Sequence, residues 1–448
     1  MTLIATRPGP GAPRPYRFPQ VVRRTLAGGQ VVAAHLPGQN LAVALLLLDA
    51  GAGREPVGKE GLGGVLAKAL EEGTAQRDAT AYALAIEALG TELVTALDWD
   101  SFQVSVQVPV ERLSAAVELL AEAVRTPRLD PADVRRVRDD EATALRMDWA
   151  NPGPRAEAVL RADLFGAENR WGRPMYGDPD SVAGLDVEDV TVFHSEWFIR
   201  PGTLIVTGDL ERIDLDALAA AAFAGAGGGP VEKGGPIEVS LPGRRRIILV
   251  DRPGSVQSTL RLGHPSPHRA HPDYVPMTLA GTVLGGAFTS RLNHLIREVR
   301  GYTYGIRGDF AASRRFGRFA VSSGVQTAVT APALVEAVGE ISRTELTGVT
   351  EDELAVARSW RAGQLSVELQ SPRAIASALT TLVVHDLPDD YHARLRESLL
   401  AADVEQVSAA AATHLHPESL TLVVEGDAAV IRDELVATGL GELVDRTH

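Results

Sequence analysis

Phe102-Gln-Val-Ser-Val alternates apolar and polar side chains with the period of a half-buried strand, and Phe319-Ala-Val-Ser-Ser does so again 217 residues later. Each leads into a helical run, Leu113 to Val124 in the first case and Pro332 to Thr344 in the second. Each run is followed by a helix-start signal, Leu129-Asp-Pro-Ala-Asp or Val349-Thr-Glu-Asp-Glu, and a second helical pattern, around Val134 to Leu145 or through Leu365. The halves also close alike. Val187-Glu-Asp-Val opens a helix before the strand Thr203-Leu-Ile-Val-Thr-Gly-Asp, and Val404-Glu-Gln-Val opens one before Leu420-Thr-Leu-Val-Val-Glu-Gly-Asp. The offset is 217 at Val187/Val404 and 218 at Asp209/Asp427. So constant a spacing indicates an internal duplication.

Between the halves, Ala224 to Gly243 is dense in Gly and Pro and reads as a linker. The expected organisation is a flexible arm at 1–19, one domain at 20–223, the linker at 224–243 and a second domain at 244–448. Long helices interrupt alternating strands, which predicts an α+β fold of two homologous domains. Each is a mostly antiparallel sheet with helices packed on one face.

The 448 residues are 45% apolar and 23% charged, ordinary values for a globular protein. A net charge of −14 argues against nucleic acid as a partner, since phosphate binding needs clustered Lys and Arg. Cysteine is absent, which excludes disulfides, Cys-ligated zinc and thiol nucleophiles. The longest apolar run, Leu41 to Leu48, is far short of the roughly 20 residues that span a bilayer. Met1 to Pro19 lacks the apolar segment of a signal peptide, so the expected location is cytoplasmic, with no membrane partner.

Two further stretches bear on chemistry. In the first half, Gly61-Leu-Gly-Gly-Val-Leu-Ala-Lys-Ala-Leu-Glu-Glu-Gly-Thr74 reads locally as an amphipathic helix. In the second half stands Leu284-Gly-Gly-Ala-Phe-Thr-Ser-Arg-Leu-Asn-His-Leu-Ile-Arg-Glu-Val-Arg-Gly-Tyr-Thr-Tyr304. There Leu292, Leu295, Ile296 and Val299 have helical spacing, and Gly301 suits a left-handed helix stop. Tyr302 to Phe310 reads as a strand. Arg297 then falls in the last helical turn and Tyr304 early in that strand, close enough for a tight turn to bring them together.

With these motifs the chain resembles the pitrilysin/insulinase/mitochondrial-processing-peptidase family of zinc peptidases. Catalytic members read like Gly-Leu-Ala-His-Phe-Leu-Glu-His over the first stretch. Two His at i and i+4 on one helical face hold Zn²⁺, and the Glu between them takes a proton from the bound water. Here those positions are Gly64, Ala67 and Lys68, which offer no ligand atom, no base and a repelling ammonium. The family's third ligand falls at Ala144, with Glu141 a small gap away; one carboxylate does not hold zinc. No metal is expected in this chain.

The second stretch matches a family signature ending in an Arg and a Tyr, here Arg297 and Tyr304, which the resemblance implies contact the bound peptide near its scissile bond. The expected function is the non-catalytic subunit of a heterodimeric peptidase. Its partner would be a homologous chain with His-x-x-Glu-His that carries the zinc, and its substrate a peptide. Two rival readings are a structural or peptide-binding protein and a self-sufficient hydrolase with an unrecognised centre. His264, His268 and His271 lie among prolines that prevent helical alignment, and no metal role is expected of them. His414 and His416 flank the closing strand and are expected to face solvent. Gly51 to Gly53 and Gly225 to Gly229 lack the ending of a phosphate loop.

Overall fold

The computed structural model describes residues 17–229 and 232–446, so most of the expected N-terminal arm and two linker residues lie outside the described residues. The first sheet comprises β1 (Val21–Leu26), β2 (Gly29–His35), β3 (Leu41–Leu48), β4 (Val94–Leu97), β5 (Phe102–Pro109) and β6 (Thr203–Gly208) in the order β1-β2-β6-β3-β5-β4. The second comprises β7 (Arg246–Asp251), β8 (Gln257–Ser266), β9 (Ile306–Ala312), β10 (Gly317–Gln326), β11 (Thr421–Gly426) and β12 (Glu442–Arg446) in the order β12-β7-β11-β8-β10-β9.

Beyond its outermost strand, each sheet repeats the other. β2-β6-β3-β5-β4 corresponds to β7-β11-β8-β10-β9, with β2/β6 and β7/β11 parallel and the remaining pairs of these five strands antiparallel. The sixth strands differ in origin. β1 enters from the N-terminal side antiparallel to β2, whereas β12 comes from the C-terminal end parallel to β7.

One face of each sheet packs on its own half's helices. Leu120 and Val124 of helix Leu113–Arg125 join Leu46, Phe102 and Val104 in the first core. Leu334 and Ile341 of helix Thr330–Thr347 join Leu260, Phe319 and Val321 in the second. The helix-start signals act as read. Asp130 caps Pro131–Trp149, and Thr350 forms a capping box with Glu353 at the head of Glu351–Glu368.

The opposite faces are covered by an exchange, an addition to the one-face packing expected. Helix Pro154–Phe165 leaves the first half and lays Leu160 and Leu164 on Ile248, Val250 and Val423 of the second sheet. Helix Pro372–Val384 does the reverse, setting Ile375, Leu379 and Leu382 against Val32, Val43, Leu45 and Ile205. Both helices begin at a proline, and the two prolines are 218 residues apart, so the exchange belongs to the duplication. This explains the unbroken apolar run Leu41–Leu48: a strand covered on both faces has no polar side to show.

The seam is tied at several further points. Trp99 and Trp171 of the first half pack edge-on or tilted against Phe316 of the second, and the Arg161 guanidinium lies 4.3 Å over Trp99. Asp100 accepts the Arg314 N–H at 2.9 Å, and Asp163 pairs with Arg246 at 2.7 Å. The linker forms no helix or strand over its described residues, yet Ile237 donates to the Arg315 carbonyl at 2.8 Å and packs with Val239 on the seam cluster. No helix among the described residues is long and apolar enough to cross a membrane.

Candidate substrate-binding site

In the first half the helix within Gly61–Thr74 is shorter than its pattern suggests. It runs Leu62–Ala69, and Gly73 turns away at φ +104°. Its N-terminus is satisfied from outside the helix. The Glu55 carboxylate accepts from the N–H groups of Gly61 at 3.0 Å and Gly63 at 2.8 Å, and pairs with Arg170 at 2.7 Å in a buried setting. Gly64 and Ala67 are half-buried on this helix and Lys68 is exposed. Ala144 is exposed on Pro131–Trp149, with Glu141 half-buried on the same helix. The Tyr176 ring stands 3.8 Å from the place a Cβ on residue 64 would take, and its hydroxyl donates to the Leu97 carbonyl on the edge strand β4 at 3.2 Å. This set of side chains does not fit a zinc ion. Two of the three helix positions have no ligand atom, the third is a cation, and an aromatic ring lies against the first.

The second half builds a different object from Gly285 to Arg307. Residues Asn293–Val299 form a widened π-helical turn, with the Arg300 N–H reaching Leu295 O at 3.0 Å. A wider turn shifts the positions that follow it. Leu292 and Ile296 are buried as the pattern predicts, but Val299 is rotated outward and exposed. Gly301 does take the left-handed conformation, at φ +67°. The expected strand from Tyr302 starts only at Ile306, so Tyr304 lies in a loop and not in the strand.

That loop is held by hydrogen bonds that the motif did not announce. The Thr303 hydroxyl donates to Gly324 O at 2.7 Å and accepts from the Gly305 N–H at 3.1 Å. The buried Asn293 side chain donates to Ile306 O at 2.8 Å and accepts the Ile306 N–H at 3.3 Å, stapling the helical turn to the start of β9. Behind it, Arg291 grips Glu353 through two hydrogen bonds of 2.7 Å. Partial burial pushes the Glu353 carboxyl up. Its bonds from Arg291 and Thr350 more than reverse that and hold it at about 2.

On this frame the Arg297 guanidinium lies 4.3 Å over the Phe288 ring, a cation–π contact that fixes its direction. Tyr304 is 97% exposed. The two side chains are not hydrogen-bonded to each other among the described residues. An open groove of about 730 Å³ lies nearby, lined not by these two side chains but by their respective neighbours Phe288 and Gly305 among others. Asn293, which staples the turn, and Phe288, which lies under Arg297, are the positions at this site that sequence reasoning missed. An Asn two residues after Arg291 and a Phe two residues before Ser290 carry no chemical signature until the fold closes around them.

The histidines sort differently from expectation. His414 does not face solvent; it is buried, and its Nε2 lies 2.8 Å from the Asp273 carboxylate at the head of helix Tyr274–Leu284. His271 joins them, and one ligand atom from each of His271, Asp273 and His414 falls within 4.8 Å of the others. Here a side chain at one helix's end and a side chain at another's start satisfy each other. His264 is fully buried in β8 between the Pro265 carbonyl and the His416 N–H, and burial pushes it down to about 3, so it stays neutral. His416 is half-buried.

Two paired domains of one topology, one with a stripped metal-site helix and the other with an Arg/Tyr loop, define a class of zinc-peptidase fold. The chain belongs to the insulinase family, peptidase M16: residues 30–178 match the profile of insulinase (peptidase family M16), and residues 184–359 match that of the peptidase M16 inactive domain. It is 26% identical over 375 residues to an uncharacterized zinc protease of Streptomyces coelicolor, covering 80% of this chain and 79% of that one. It is 22% identical over 373 residues to a non-peptidase homolog of Helicobacter pylori, covering 81% and 84%. A solved peptidase M16 inactive domain from Pseudomonas fluorescens superposes with a TM-score of 0.83 at 25% identity, covering 91% of this chain and 98% of that one. The relatives thus include both chains named zinc proteases and one named a non-peptidase homolog.

Proposed function

We propose that this chain is the non-catalytic half of a two-chain zinc peptidase. It closes the peptide chamber of a homologous partner that carries His-x-x-Glu-His. The hydrolytic ion would be held in the partner, since the residues at 64, 67 and 68 here do not fit one. The observation that carries the reading is the contrast within one molecule: a metal-site helix stripped of donors beside an Arg and a Tyr presented at a groove.

The chemistry follows from what each side chain can donate. Arg297, its plane set by Phe288, would donate to a backbone carbonyl of an extended peptide. The Tyr304 hydroxyl, turned to solvent, would donate to the oxygen that gains negative charge as the scissile carbonyl is attacked. Among the described residues neither group makes an internal hydrogen bond that binding would have to break: besides its place over Phe288, Arg297 has a distant contact of 3.8 Å to Glu298.

The test is reconstitution. The chain is mixed with a homologue bearing the intact motif, and chelator-sensitive peptide hydrolysis is measured. Tyr304→Phe and Arg297→Ala should each lower kcat by roughly ten- to a thousandfold, as for loss of an oxyanion donor. Full activity of both variants would overturn the assignment. No activity with any such homologue would favour the structural or peptide-binding reading instead.

A further inference from the structure

We infer that the groove beside Arg297 and Tyr304 selects acidic peptide segments. The inference rests on the reading of that groove as part of a peptide chamber and names the class of peptide it takes. Its floor is the part of the second sheet's outer face, on β8, β10 and β9, that helix Pro154–Phe165 leaves uncovered. Residues 261, 322 and 307 face one another across β8, β10 and β9, so Arg261, Ser322 and Arg307 form one cross-strand row. Two strand spacings separate the arginine backbones by about 10 Å. Gln257 and Thr259 continue the floor on β8, and no Asp or Glu lines the groove among the described residues. In a chain of net charge −14, a groove whose charged lining is arginine alone stands apart from the rest of the surface.

The arginines are also unspent. Arg261 is half-buried, its one hydrogen bond goes to its own Leu260 carbonyl at 3.0 Å, and it makes no ion pair within 4 Å among the described residues. Arg307 is exposed and likewise makes none. The carboxylates nearest to them are taken. Glu157 pairs with Arg318, Glu425 with Arg252 at 3.2 Å, and Asp309 with Arg361 at 2.7 Å. Burial outweighs the attraction of Glu157 and Glu425 at Arg261, so a partly buried guanidinium with no ion pair of its own is costly, and an incoming carboxylate offsets that cost. Peptide side chains on one face of an extended segment recur about every 7 Å, within reach of both flexible arginines.

Binding to the isolated full chain tests this without any partner, so its failure would leave the reconstitution result untouched, and the converse. Fluorescence anisotropy is read with two labelled, C-terminally amidated decapeptides that differ only in Glu or Gln at alternate positions. The Glu peptide should bind at least about tenfold more tightly, with affinity falling as salt rises. Arg307→Gln, an exposed change that should fold normally, should weaken the Glu peptide by about five- to tenfold and leave the Gln peptide unchanged. Arg261→Gln should do the same in a variant whose melting curve is checked first. Equal affinity for the two peptides, or an Arg307→Gln protein that still prefers Glu as strongly as before, overturns the inference.

Discussion

Each sheet has a glycine-pivoted turn before its edge strand, and the two turns are put to opposite uses. In the first half the turn pivots on Gly90, at φ +75°, before β4; in the second it pivots on Gly301, at φ +67°, before β9. Counted from the glycine, the residues four before and three after are Ile86 and Leu93 in one copy, Arg297 and Tyr304 in the other. Ile86 and Leu93 are 6% and 8% exposed and belong to the first core, whereas Tyr304 is 97% exposed. A glycine turn thus sits within core packing in one half and presents a polar pair in the other, where the strand ladders set Leu93 in the place of the buried Ile306 and leave Tyr304 two residues before it. What separates the copies is the widened turn at Asn293–Val299 together with the Asn293 staple, which carry the second loop clear of its sheet.

If that contrast is right, equivalent substitutions must have unequal effects on folding. Leu93→Ala removes a buried side chain from the first core and should cost about 2–3 kcal/mol in chemical denaturation. A cost below about 0.5 kcal/mol would mean that the first copy of the turn is not a packing element, and the comparison would fail at its first term.

A smaller effect separates two ion pairs. Glu55–Arg170, at the head of helix Leu62–Ala69, is buried at both ends, whereas in Arg291–Glu353, behind the second turn, the Glu side chain is 31% exposed. The Glu353 carboxyl sits at about 2 in the folded protein against an ordinary value of 4.5. A depressed folded value means that the folded state binds the proton less readily than the unfolded chain. The stabilisation is therefore complete above pH 4.5 and is lost as pH falls toward 2. Wild type should lose about 1.5 kcal/mol across that window relative to Glu353→Gln, in which the carboxylate is already gone. Parallel acid profiles of the two proteins would show that the pair does not anchor the loop.

How much of this was legible in the sequence depends on whether a feature is local. The caps at Asp130 and Thr350, the left-handed Gly301 and the empty metal positions Gly64, Ala67 and Lys68 follow from a residue and its near neighbours, and the duplication from a repeated order of such local signals. The exchange of Pro154–Phe165 for Pro372–Val384 did not, because each helix shows only an apolar stripe and nothing says which sheet receives it. The strand start at Ile306 was misplaced because Tyr302 and Tyr304 have high strand propensity, while the turn chemistry of Thr303 and the reach of Asn293 prevail. His414 was misjudged for a similar reason. Its partner Asp273 is distant in sequence, so a buried helix-to-helix contact read as surface.

The smallest expected effect bears most on function. Tyr304→Phe deletes one oxygen from a side chain that is 97% exposed, so folding stability should change by less than about 0.5 kcal/mol. At Leu93, which stands at the same count from its own glycine, no substitution could be both informative and silent in folding, because the side chain is part of the core. At Tyr304 the two readouts separate. A variant with an unchanged denaturation midpoint and a reduced kcat in the reconstituted peptidase would locate the loss in the hydroxyl itself. A shifted midpoint would instead show that the phenol is held by the protein, and the contrast between the two turns would then be one of degree.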